Sequence, residues 1–189
     1  MQMSIFQDRE KYIGGSDVPV ILEMSPYVTR ELLLKQKAGL EEEDCTDNPY
    51  TLYGEVMEDK IRDYINTLEP NYGFVEGKLI EEGDPIGYRC HTDGENDNTI
   101  LEIKTTSNIE RNLEIYKVQL CFYMMRTKKP NGILACYVRP SNLDETFKKE
   151  RLTIMNFTLD GFAEEGLTDK ISKGIEAFII DLTKLKSQG

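Results

Sequence analysis

The chain has no long apolar run, no closely paired cysteines and no excess of positive charge, and each absence removes a class of function. No apolar stretch approaches the ~18 residues of a membrane span, so none is expected. Met1 to Asp8 do not read as a basic patch followed by an apolar stretch, so no secretory signal is expected and a cytoplasmic protein is. Cys45, Cys90, Cys121 and Cys136 are dispersed and none forms a C-x-x-C pair, which argues against zinc, an iron–sulfur cluster or a disulfide scaffold. Reduced, partly buried thiols are expected. Lys and Arg number 23 against 34 Asp and Glu, a net charge of −11. Phosphate contacts need Lys and Arg, so this is not a protein that grips nucleic acid with its whole surface, although a local basic groove is still open to it. Acidic metal ligands would add to the negative charge, and bound cations would offset part of it. There is no internal repeat, low-complexity segment or long linker, and 189 residues suit one domain with a substantial core.

What is present is a sequence of periodic segments. Ser16 suits the N-cap of a short helix near Asp17 to Glu23, with Pro19 in its first turn. Thr29 suits the cap of a second helix, Arg30 to Ala38, closed by Gly39. Glu41 to Pro49 reads as an acidic loop. Thr51 to Leu68 is helical by periodicity, with Leu52, Val56, Met57, Ile61, Tyr64, Ile65 and Leu68 as its apolar stripe. Strand-like runs follow at Tyr72 to Ile80, Gly87 to Thr92 and Thr99 to Thr105. Then come a helix from Asn112 to Arg126, an apolar strand from Ile133 to Val138 and a further strand from Arg151 to Phe157. Thr158 opens a C-terminal amphipathic helix interrupted by glycines. This order predicts an α/β (α+β) fold with a mixed central sheet flanked by helices.

The residues that stand out chemically lie between Asp93 and Lys104. Glu102 and Lys104 are two apart on a strand and so share a face, with Leu101, Ile103 and Thr105 turned the other way. A turn of Gly-Glu-Asn-Asp-Asn joins Asp93 to that strand as a hairpin and brings Asp93 near Glu102, with Asp97 as the turn-capping residue. Thr106 and Ser107 would line a cleft beyond Lys104. Glu58 aligns with Gly54, Ile61 and Ile65, whereas Glu55, Asp59, Arg62 and Asn66 mark the polar face of the same helix. A carboxylate on an inner face costs several kcal/mol unless it is paired or binds a metal. Gln119 is a neutral polar group among Tyr116, Leu120 and Tyr123 on another helix face.

Four pieces, in order along the chain, resemble the PD-(D/E)XK nuclease superfamily and, within it, the lambda-exonuclease/YqaJ-like viral recombinase family. They are Arg9 with Tyr12-Ile13-Gly14-Gly15-Ser16-Asp17-Val18 and Met24-Ser25-Pro26-Tyr27; Gly54-x-x-x-Glu58; Asp93-Gly94 with Leu101-Glu102-Ile103-Lys104-Thr105-Thr106; and Tyr116-x-x-Gln119-Leu120 with Tyr123. They span roughly residues 9 to 140. Thr92 replaces the proline that names the motif.

The resemblance implies one restriction-endonuclease-like nuclease domain over 1–189, with N-terminal helices at about 9–40 and a C-terminal helical extension at about 158–186. It implies that Glu58, Asp93, Glu102 and the Ile103 carbonyl hold one or two Mg²⁺ or Mn²⁺ ions. Lys104 would orient or deprotonate the attacking water, supported by Gln119 and Tyr116. Arg9 and Ser16 would bind the 5′ phosphate of a DNA end, and Ser16 at a helix N-terminus suits an anion on its own account. Apart from the resemblance, His91 and Arg111 would be candidates for further phosphate contacts. The implied activity is phage-type exonuclease digestion of linear double-stranded DNA, 5′ to 3′, in the bacterial host cell. It leaves 3′ single-stranded tails for a single-strand annealing protein and is carried out by a ring-shaped homo-oligomer such as a trimer. The alternatives are a different PD-(D/E)XK endonuclease or structure-specific nuclease, a catalytically idle DNA-binding module, and an unrelated acidic domain.

Overall fold

A computed structural model describes residues 8–42, 48–68, 70–83, 86–144 and 146–187. Its core is a four-stranded mixed sheet in the order β4-β5-β6-β7. Strand β4 (Gly94–Glu95) runs antiparallel to β5 (Thr99–Thr106), β5 parallel to β6 (Asn131–Val138), and β6 antiparallel to β7 (Leu152–Thr158). The parallel pair is joined by a crossover helix, α4 (Ile109–Thr127), as parallel strands require. Strands covered on both faces read as nearly continuous apolar runs, and from Ile133 to Tyr137 every residue of β6 is buried. Gly132 lets α4 sit close, because a Cβ there would lie 2.5 Å from Met124 Sδ.

The helices on the two faces create two apolar clusters. One contains Ile100, Leu134 and Cys136 from the sheet, packed with α4, α1 (Asp17–Ile21), α2 (Arg30–Lys37) and α6 (Leu167–Lys186). The other holds Leu101, Ile103, Ile133, Ala135 and Tyr137 against α3 (Pro49–Asn66). The alternation along β5 is therefore as the sequence predicts. A second sheet, β1-β3-β2, consists of Tyr12–Gly14, Gly87–Cys90 and Ile80–Glu82, with β1 parallel and β2 antiparallel to β3.

Several boundaries differ from expectation for identifiable reasons. Helix α3 starts at Pro49, where Asn48 accepts from the amides of Tyr50 and Thr51. Residues 43–47 of the predicted loop, Cys45 among them, lie outside the described residues. The buried stripe of α3 is Tyr53, Met57, Ile61 and Ile65, whereas Leu52 and Val56 are exposed. Of the predicted strand Tyr72 to Ile80, only Ile80 is in a strand, as the first residue of Ile80–Glu82; the segment before it is irregular. It makes one bridge, Val75 to Glu95, and the Asn66 side chain takes both the N–H and the C=O of Phe74, so those groups are lost to a ladder. Ser16 does not cap α1: its backbone is already helical and its hydroxyl makes no capping bond. Thr29 does cap α2, accepting from Leu32 N at 3.2 Å. The C-terminal helix is two helices, α5 (Leu159–Glu164) capped by Thr158, and α6 after Gly166 at φ 76°. Ile171, Ile175, Phe178 and Leu182 of α6 belong to the larger cluster, so this segment is built into the core. Cys90, Cys121 and Cys136 are free and fully buried in that cluster, and burial pushes their thiols up to about 12, 12 and 11. No helix among the described residues is long and apolar enough to cross a membrane.

Candidate active site

Residues 94 and 101 pair across the β4–β5 hairpin, so Asp93 stands opposite Glu102. Asn96, rather than Asp97, stabilises the turn, accepting from the amides of Asn98 and Thr99 at 3.1 and 2.9 Å. The carboxylate of Asp93 is fastened to β5 by a 2.6 Å bond from Ile103 N–H. Glu102 is 1% exposed and its Oε1 lies 2.6 Å from Lys104 Nζ. Its Oε2 is buried with no hydrogen-bond partner. An orphaned carboxylate oxygen in such a place costs free energy that a cation would recover.

Glu58 approaches from α3. Its side chain is 30% exposed, so it occupies a boundary position, paired with Arg62 Nη1 at 3.3 Å. Arg62 is buried, contrary to its expected place on the polar face, because the same guanidinium also donates to the Asp93 carbonyl and to Asp59. The i,i+4 spacing of Glu58 and Arg62 was the available signal for this link. Arg62 thus joins α3 to the hairpin and sets Glu58 beside Asp93.

The three carboxylates destabilise one another's charge. Burial, then the Asp93 charge, raises Glu102 to about 8. Burial and Asp93 likewise raise Glu58 to about 7, and burial raises Asp93 despite Lys104 nearby. Burial alone would lower the Lys104 ammonium, but Glu102 and Asp93 outweigh it and hold it above the ordinary lysine value. As placed, Lys104 is a charged donor rather than a base. Among the described residues, no three Asp, Glu, His or Cys side chains converge tightly enough in this arrangement to enclose a metal ion. Glu58 and Glu102 are turned toward Arg62 and Lys104 instead. The donor set nevertheless fits a hard divalent cation: three carboxylates, a buried oxygen without a partner and mutual repulsion that a cation would relieve.

Two cavities flank this set, and Ser16 lines both. The first, about 450 Å³, brings Glu58 and Asp93 together with Arg9, Ser16 and His91. His91 Nε2 lies 3.5 Å from Glu76. The loop carrying Arg9 and Ser16 is held by Lys37, whose buried ammonium donates to the Arg9 and Tyr12 carbonyls at 2.9 and 2.8 Å and pairs with Asp17 at 2.8 Å. Asp17 in turn accepts from Gly14 N–H. Gly15 is required because a Cβ there would lie 2.5 Å from the Tyr123 ring. The second cavity, about 310 Å³, brings Lys104, Thr106 and Ser107 together with Tyr116 and Gln119. Lys104 Nζ is 6.0 Å from the centre of the Tyr116 ring. Gln119 donates to the Tyr123 hydroxyl at 3.2 Å instead of binding Lys104. Arg111 lines neither cavity and lies exposed in the first turn of α4. Sequence reasoning missed the roles of Arg62 and of the Lys37–Asp17 pair, and named Tyr123 without its bond from Gln119; only the Lys37–Asp17 pair had no local signal, its partners being 20 residues apart.

The sequence model for the YqaJ-like viral recombinase domain matches residues 5–128. No curated protein sequence matches the chain. An alkaline exonuclease from Laribacter hongkongensis has a similar structure, with TM-score 0.65 and 17% identity, covering 95% of this chain and 94% of that one. A phage-related exonuclease from Haemophilus somnus 129PT gives TM-score 0.67 at 16% identity, covering 94% and 96%. These likenesses show the fold, a restriction-endonuclease-like mixed sheet between helices.

Proposed function

The chain belongs to the YqaJ-like viral recombinase domain family, and we propose that it is a metal-dependent exonuclease that digests linear double-stranded DNA from the 5′ end, leaving 3′ single-stranded tails. The observation that carries this reading is the buried Glu102 oxygen left without a partner, beside Lys104 and with the Asp93 and Glu58 charges near enough to raise Glu102. The family and the exonuclease folds support a phage-type exonuclease.

Glu58, Asp93, Glu102 and the Ile103 carbonyl would hold one or two Mg²⁺ or Mn²⁺ ions. Bound metal supplies a water of lowered pKa and neutralises charge on the phosphate under in-line attack. The chain's own residues do the positioning. The bond from Ile103 N–H fixes the Asp93 carboxylate, and Arg62 fixes the helix that carries Glu58. Lys104, kept protonated by Glu102, donates to the scissile phosphate and orients the water. Tyr116 and Gln119 wall the lysine's side of the site. Arg9 and Ser16, with His91 beside them, would take the 5′ phosphate of the end, and Arg111 contacts the backbone farther out. Assembly into a ring, such as a trimer, would keep an acidic protein on DNA, because encirclement replaces net positive charge. The tails would pass to a single-strand annealing protein in the cytoplasm of the host cell.

Incubation of linear and covalently closed duplex with Mg²⁺ tests the proposal. Loss of the linear form alone, sensitive to chelator, is expected. Nicking of closed circles would show an endonuclease instead, and metal-independent inertness on both would leave a DNA-binding module.

A further inference from the structure

One segment of the sequence, Met24-Ser25-Pro26-Tyr27, has no part in the chemistry above, yet its Ser25, Pro26 and Tyr27 form a lip of the cavity on the Lys104 side. Ser25 Oγ accepts from the amides of Tyr27 and Val28, both at 3.3 Å, and this turn presents Tyr27 outward at 84% exposure. A phenol ring so exposed has no packing role to explain its position. Another lip of the same cavity is Arg139, at the end of β6. Its guanidinium lies 4.3 Å from the centre of the half-exposed Tyr50 ring and donates to the Thr105 carbonyl at 3.3 Å. Both contacts fix the guanidinium while leaving its charge uncompensated, since Arg139 makes no ion pair among the described residues.

The charge of the cavity is the second observation. The chain carries −11, and in the neighbouring cavity the acids Asp17, Glu55, Glu58, Glu76 and Asp93 outnumber the cations Arg9, Lys37 and Arg89. Among the described residues no Asp or Glu lines the cavity of Arg139 and Tyr27; its other polar groups are Lys104, hydroxyls and amides. A concave site with cations and hydroxyls, no acid among its described residues, and an exposed aromatic face at its lip matches a nucleotide unit: phosphate inside and base outside.

We propose that this cavity is a single-strand subsite, in which Arg139 and Ser107 bind a DNA phosphate one step from the scissile one and Tyr27 stacks on the attached base. The inference rests on the nuclease reading and adds a strand-holding surface to it. Tyr27 would then select an unpaired strand over duplex, because only an unpaired base offers a free face for stacking.

The test uses the full chain, Tyr27→Ala and Arg139→Gln, both at sites whose side chains the core does not need. Binding of a short single-stranded oligonucleotide is read by fluorescence anisotropy over a range of salt, beside the rate on linear duplex with Mg²⁺. Tyr27→Ala is expected to weaken oligonucleotide binding by roughly 5- to 100-fold and to raise KM in step. Arg139→Gln is expected to reduce the slope of log affinity against log salt by about 0.7, the share of one phosphate contact. If both variants bind and cut like the parent while the parent digests DNA, the subsite is overturned and the nuclease reading stands. If the parent neither binds nor cuts DNA, the nuclease reading falls and takes the subsite with it.

Discussion

The cavity on the Glu58 side and the cavity on the Lys104 side differ in charge far more than in size. One is lined by Asp17, Glu55, Glu58, Glu76 and Asp93 against Arg9, Lys37 and Arg89, and burial raises Glu58 and Asp93 above the ordinary carboxylate range; the other contains Lys104 and Arg139 with hydroxyls and, among the described residues, no acid. The fold produces this division by simple means. Strand β5 contributes Glu102 and Lys104 to one face, two residues apart. Asp93 on the hairpin and Glu58 on α3 add negative charge from one side only. In the proposed reading a cation would sit where the carboxylates gather, the 5′ phosphate would lie at Arg9 in the same cavity, and the attached strand would run on the lysine side. An acidic protein can therefore bind a polyanion locally while its total charge opposes it.

The largest way to disturb the acidic cavity is from its supporting loop. Lys37→Met would leave Asp17 buried without its cation, with an expected destabilisation of about 3–5 kcal/mol in denaturant unfolding. A loss below ~1 kcal/mol would show that the pair does not hold the loop.

The pH dependence of the metal-free protein probes the carboxylates directly. Glu102 and Glu58 are raised from 4.5 to about 8 and about 7. Below pH 4.5 both are protonated, folded or unfolded, and cost nothing. Between pH 4.5 and 8 the folded state retains protons that the unfolded chain releases, so stability falls as pH rises. In chelator, the expected loss across that window is on the order of a few kcal/mol, and Mg²⁺ or Mn²⁺ should largely abolish it. A flat melting profile in chelator would contradict the geometry of the three carboxylates.

A smaller effect is expected at Arg9. Arg9→Gln should lower the preference for 5′-phosphorylated over 5′-hydroxyl ends by about tenfold, the worth of one charge-assisted bond. An equal fall on both kinds of end would place Arg9 on general DNA contact instead.

The sequence makes the sheet half of the site legible because a strand's period of two is rigid. Glu102, Lys104 and the Leu101–Ile103 face stand where alternation puts them, and hairpin register then locates Asp93. The helical half was less legible. The polar face of α3 misplaces Arg62, because a long guanidinium reaches across the helix to the Asp93 carbonyl, just before β4 and 31 residues away. Leu52 and Val56 satisfy helical periodicity, yet nothing in the described residues covers them, and periodicity does not report what lies opposite. Tyr72 to Ile80 has strand composition, but Asn66, on the preceding helix, claims the Phe74 peptide groups first. Ser16 has the residue type of a cap, while Asp17 beside it, tied to Lys37, sets the local geometry.

The central claim is that Lys104, set by Glu102 beside Asp93 and Glu58, completes a metal-dependent phosphodiester-hydrolysing site. Its most direct test is the single-turnover rate on end-labelled linear duplex with Mg²⁺, comparing the parent with Lys104→Ala. The predicted result is metal-dependent release of labelled nucleotide by the parent and a fall of at least about 10²–10³-fold in the folded variant, the scale set by losing one positioned donor to the reacting group. Equal rates for parent and variant would contradict it.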